Sequence, residues 1–153
     1  MSRTSLWFAA KSILSSLLCL LLGCSPGQEA ADAFLPELGK AAEQLDVGQE
    51  LRMDAVNRGE WNRLFIFPPY TPVSAIETAI KMKASPAIQS AGLSERDDIN
   101  LLVFMNAENI QIVVAVPRQV IDFAVDKAVQ PLTRSSAVFK KVGVGQSLVM
   151  AGG

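Results

Sequence analysis

Ile99-Asn100-Leu101-Leu102-Val103-Phe104-Met105 and Ile110-Gln111-Ile112-Val113-Val114-Ala115-Val116 are two apolar runs separated by Asn106-Ala107-Glu108-Asn109. Each run is rich in β-branched and aromatic residues and too short for a well-formed helix, so each predicts a strand. The polar tetrapeptide between them suits a turn in which an asparagine takes positive φ. The pair is therefore read as a β-hairpin of two central strands, apolar on both faces, ended by Pro117.

The neighbouring segments extend this hairpin into a sheet. Trp61-Asn62-Arg63-Leu64-Phe65-Ile66-Phe67 is a third strand, stopped by Pro68-Pro69, which cannot donate to a ladder. Leu51, Met53 and Ala55 alternate with Arg52 and Asp54, which predicts a half-exposed strand over 50–56. Ala137-Val138-Phe139 and Ser147-Leu148-Val149-Met150 suggest two short strands near the C-terminus. Leu35, Leu38, Ala42 and Leu45 fall on one face of a helix over 33–46. Thr71-Pro72 caps and opens a second helix that carries Val73, Ile76 and Ile80. Residues 84–98 are polar and broken by Pro86 and Gly92, and read as loop; residues 119–130 read as helix or loop. The expectation is an α+β domain: a mostly antiparallel sheet of about five to six strands, covered on one face by two main helices.

At the N-terminus, Arg3 and Lys11 precede an apolar stretch from Ile13 to Leu22, and no acid occurs before Glu29. About 20 apolar residues are needed to span a bilayer, so this shorter stretch has the build of an export signal. Leu21-Leu22-Gly23-Cys24 follows directly and resembles the lipobox of bacterial membrane lipoproteins. The resemblance implies cleavage of a signal peptide over 1–23 and attachment of a diacylglycerol to the Cys24 thiol, with acylation (palmitate or a similar chain) of the new amino group. It implies an extracytoplasmic protein held to the cell membrane by its N-terminal lipid, and Ser25 favours the outer membrane, facing the periplasm, in a Gram-negative cell. Residues 24–32 are then a lipidated tether of loop-forming residues, and 33–153 form a single domain. An ordinary cleaved signal or an uncleaved anchor are the other readings of this leader.

Composition narrows the chemistry. Of 153 residues, 50% are hydrophobic and 19% charged with a net charge of −1, which excludes a disordered tail and a basic nucleic-acid binder. Without residues 1–23 the net charge becomes −3, because Arg3 and Lys11 leave with them. Histidine is absent, and the two cysteines are Cys19, inside the leader, and Cys24. A lipidated domain then has neither a free thiol nor an imidazole for nucleophilic or metal chemistry, and no cofactor or metal is expected. The acids Asp97-Asp98 read as a solvated loop, since a cation site needs several converging oxygens.

The segment WNRLFIFPPYTP, residues 61–72, is similar to a Trp-x-Arg/Lys…Phe-x-Pro-Tyr motif of small uncharacterised bacterial lipoproteins, as is Val116-Pro117-Arg118 with Asp122-Phe123. Here Asn62 stands where that group has an acid. The resemblance implies a fold and no activity. Trp61, Phe65 and Phe67 alternate onto one face with Arg63, which makes most of these aromatics core. The competing reading groups Trp61, Arg63, Tyr70 and Arg118 as an exposed recognition patch, because Trp, Tyr and Arg anchor interfaces. The expected function is a non-enzymatic binding or interaction module of the envelope, with a protein of the envelope as partner. Two alternatives remain: a small extracytoplasmic enzyme using carboxylates or a Ser/Lys pair, or an inhibitor-like module.

Overall fold

The computed structural model describes residues 26–124, 130–143 and 147–151. The leader, the lipobox and Cys24 lie outside the described residues.

The hairpin is present and forms the middle of the fold. β2 (Arg63–Phe67), β3 (Ile99–Asn106) and β4 (Asn109–Pro117) make an antiparallel sheet in the order β2-β3-β4. The register pairs Phe65 with Val103 and Val103 with Val113. The turn is tighter than expected. Ala107 and Glu108 alone form it, and Ala107 rather than an asparagine holds positive φ, at 51°. Ile110 opposes Met105 and Ile112 opposes Phe104, so Gln111 is an extra residue, a β-bulge, on β4.

A second sheet has the order β1-β6-β7-β5, built from β1 (Glu50–Arg52), β6 (Val138–Lys141), β7 (Ser147–Met150) and β5 (Asp122–Ala124). Its pairs are antiparallel except β5 with β7. The α+β class with mostly antiparallel pairing is thus observed, with seven strands among the described residues divided between two sheets. The strand expected over 50–56 stops at Arg52 and continues as a helical turn, α2 (Met53–Val56). That turn sends Met53 into the core, where the alternating pattern cannot be told from a short strand. Within 119–130, Asp122–Ala124 is a strand, not helix or loop; residues 125–129 lie outside the described set.

β3 is buried along both faces, and each face has its own core. Leu64, Ile66, Leu102, Phe104, Val114 and Val116 point to one side, against α1 (Pro26–Glu43) and the second sheet. Phe65, Phe67, Leu101, Val103 and Met105 point to the other, against α3 (Val73–Ile80), α4 (Pro86–Ser90) and Leu93. The expectation of a sheet covered on one face is corrected here. Residues 84–98 contain a short helix whose N-cap, Ser85, accepts from the Ile88 N–H at 3.4 Å, with Pro86 in its first turn. Ile88 and Leu93 supply the missing apolar cover.

α1 starts at Pro26, seven residues before the expected 33, so 26–32 are helix rather than tether. It runs alongside β4. Gly27 approaches the Gln111 carbonyl, and a Cβ at Gly39 would stand 3.3 Å from Val120 Cγ1. Gly39 is therefore tolerated inside the helix as the point of close approach to the chain beyond β4. At the other terminus the Lys141 ammonium donates to the Ala42 and Leu45 carbonyls, at 3.4 and 2.8 Å, closing the helix end.

Candidate binding surface

The four residues of the expected patch do not meet. Trp61 and Arg63 lie at the hairpin end of the first sheet, whereas Tyr70 and Arg118 lie at the opposite end.

Trp61 is core, only 3% exposed, which corrects its place in an exposed patch. It precedes β2, so the two-residue alternation does not reach it. Its ring turns to the α1 side, edge-on to Phe104 at 5.2 Å, while Phe65 and Phe67 face the other core. The indole N–H donates to the Asn57 carbonyl at 3.0 Å. The Arg134 guanidinium sits 5.0 Å from the ring centroid and donates to the Gly59 carbonyl at 2.7 Å. Arg63 is committed to the turn: its guanidinium donates to the Ala107 carbonyl. Asn62 Oδ1 accepts from the Ala107 N–H at 3.2 Å. These two side chains hold the strained Ala107 in place, and a carboxylate at position 62 would accept the same N–H.

The other end is different in kind. Tyr70 is 61% exposed, and its backbone is in the left-handed region, at φ 61°. The corner that holds it is tied by its own N–H, which donates to the Leu93 and Arg96 carbonyls at 3.0 and 3.2 Å. Thr71 Oγ1 donates to the Pro68 carbonyl at 2.6 Å, so Thr71 braces the corner and Pro72 takes the helix N-cap position. A non-glycine residue held at such a φ costs about 1–3 kcal/mol. The Tyr70 ring gains little core burial to offset this.

From Arg96 the chain leads directly to Arg118. Arg96 makes a two-pronged pair with Asp98 at 2.8 and 2.6 Å. The Asp98 carbonyl accepts from the Arg118 N–H at 2.8 Å, and the Asp97 carbonyl accepts from the Arg118 guanidinium at 3.0 Å. Arg118 also grips Asp122 through two bonds of 2.7 and 2.9 Å. Sequence reasoning found Arg118 and missed Arg96, whose spacing of two from Asp98 is an ordinary surface pattern.

Charge follows from this network. The Arg118 hydrogen bonds and charge hold the Asp122 carboxyl below its usual range, against partial burial that pushes it up. Asp98 is likewise lowered by its bond to Arg96. Asn100 itself is 1% exposed, with neither amide atom partnered. In this network the acids Glu95, Asp97, Asp98 and Asp122 outnumber the bases Arg96 and Arg118 by two. Among the described residues, no three of His, Cys, Asp and Glu converge as a metal site, and no helix is long and apolar enough to cross a membrane.

The chain matches no protein-family model, no curated protein and no solved structure.

Proposed function

We propose that this protein is a lipid-anchored binding module of the bacterial envelope, held by Cys24 and engaging a protein partner through the Tyr70 end of its sheet. The observation that carries the binding reading is Tyr70 itself: an exposed aromatic ring at a left-handed position that glycine would occupy without strain. Folding alone favours glycine there, whereas an interface favours tyrosine. The acidic rim of Glu95 and Asp97 suits a partner surface bearing lysine or arginine. The polarity of α1 supports the anchoring geometry. Its N-terminus lies two residues from Cys24, at the hairpin end, and its 18 residues carry the chain about 27 Å toward the Tyr70 end. The recognition surface then faces away from the bilayer.

The test combines Tyr70→Gly with crosslinked capture from envelopes that carry the full chain. Tyr70→Gly keeps or slightly raises the thermal midpoint and loses the captured partner. Capture that survives this substitution overturns the reading. Cys24→Ala releases the protein from membranes, and unchanged fractionation removes the anchor.

A further inference from the structure

The groove between the first turn of α1, the start of α4 and the bulged part of β4 has a volume of about 730 Å³, within the range of small-molecule sites. Gly27, Pro86, Ala87, Ile110 and Val113 supply its carbon surface, the rest of its lining among the described residues is serine and glutamine, and none of these is charged. The β-bulge at Gln111 breaks the regular edge of β4 on this wall. Ile110 and Val113 are left half-buried there, apolar side chains with an open side.

The groove begins three residues after the proposed anchor site. Cys24 is three residues before Gly27, and three residues of chain reach about 10 Å at most. A hydrocarbon chain on Cys24 therefore starts within its own length of the groove mouth, at a high effective concentration set by the tether. We infer that the groove receives an acyl chain carried by Cys24. This rests on the lipid-anchor reading above and extends it: the lipid fixes the hairpin end of the domain rigidly against the membrane instead of merely leashing it. Moving one chain from bilayer to groove exchanges one apolar surrounding for another, and the remaining lipid keeps the protein anchored. An uncharged wall is what such an exchange requires, because an ionised side chain facing the chain would have to be desolvated.

The experiment feeds cells a fatty acid carrying a diazirine, purifies the full lipidated chain into phospholipid vesicles, irradiates it and maps the crosslinked peptides by mass spectrometry. Intact mass first reports whether Cys24 carries lipid. Crosslinks from that lipid to the peptides holding Ala87, Ile110 and Val113 are expected. Val113→Asp, checked by circular dichroism for a native fold, lowers their yield about tenfold. A lipidated protein whose crosslinks fall only on vesicle phospholipid overturns the groove and leaves the anchor standing. A protein with no lipid on Cys24 overturns both.

Discussion

Replacing Trp61 separates a core tryptophan from a recognition tryptophan by its size of effect. The indole is 97% removed from solvent, counting from its 3% exposure. A buried tryptophan removes on the order of 200 Å² from water, worth about 5 kcal/mol at about 25 cal/mol per Å². Truncations of this kind cost about 3–5 kcal/mol in measured cores. Trp61→Ala is therefore expected to lose about 3–5 kcal/mol, which lowers the thermal midpoint by about 12–20 °C for a domain of this length. Trp61→Phe keeps an aromatic edge on Phe104 and loses the bond to the Asn57 carbonyl, at about 1–2 kcal/mol. Arg134 gives an internal check, because its guanidinium lies over the same ring. A double-mutant cycle between Trp61→Ala and Arg134→Ala should return a coupling of about 0.5–1 kcal/mol. The assay is urea unfolding followed by far-ultraviolet circular dichroism, with the m-value monitored. A Trp61→Ala loss below about 1 kcal/mol, with no coupling to Arg134, refutes the burial argument.

Two further outcomes test the opposite ends of the sheet. Ala107→Gly relieves the positive φ of the two-residue turn and should raise stability by about 0.5–1 kcal/mol, after the extra freedom glycine has in the unfolded chain; a loss in urea unfolding contradicts the strain at Ala107. For Asp122, the folded carboxyl is held below its usual range, so its stabilising contribution is present above about pH 4 and is lost as pH falls through the depressed value. Asp122→Asn should lower the urea midpoint at pH 7 and flatten its fall below about pH 4. Asp98→Asn, in a more exposed pair, should change that slope little. Parallel slopes for wild type and Asp122→Asn would reject the pairing with Arg118.

The hairpin was legible because both of its strands are apolar at consecutive positions, the pattern of a doubly covered strand, which β3 is and which β4, half-buried along much of its length, is only in part. The same pattern already implied a second cover; α3 supplies part of it, and the rest comes from pieces too short for a helical period to show. α4 has five residues and buries only Ile88, and the turn after it adds Leu93. The second sheet was legible in β6 and β7 but not in β5, because Asp122-Phe123-Ala124 is three residues long and its pairing with β7 is parallel and distant in sequence. For the candidate surface, residue types alone put Trp61, Arg63, Tyr70 and Arg118 together, since all four anchor interfaces elsewhere. Position along the strands separates them. A five-residue β2 lies between Arg63 and the Pro68-Pro69 corner, and at about 3.3 Å per residue that places the two halves some 16 Å apart.

That separation explains why the two ends use strain differently. At the hairpin end, the positive φ of Ala107 is met by side chains placed to hold it: Asn62 takes its N–H and Arg63 its carbonyl. The result is a rigid end, packed beneath by Trp61 and Arg134. At the other end, the Tyr70 N–H bonds to backbone carbonyls, Thr71 braces the corner, and the Tyr70 ring is left in solvent. Strain that is clamped by side chains serves the fold, because the clamping contacts lie within the domain. Strain that presents an aromatic ring outward is what the proposed interface would offset. The Arg96 and Arg118 pairs then have a second consequence. They tie the 96–98 segment to the end of β4 and to Asp122, and the Arg96 carbonyl also accepts from the Tyr70 N–H, so the corner carrying Tyr70 is linked to the sheet. A corner whose backbone is already tied has less main-chain freedom to lose on binding, which suits the proposed role of Tyr70 as an anchor.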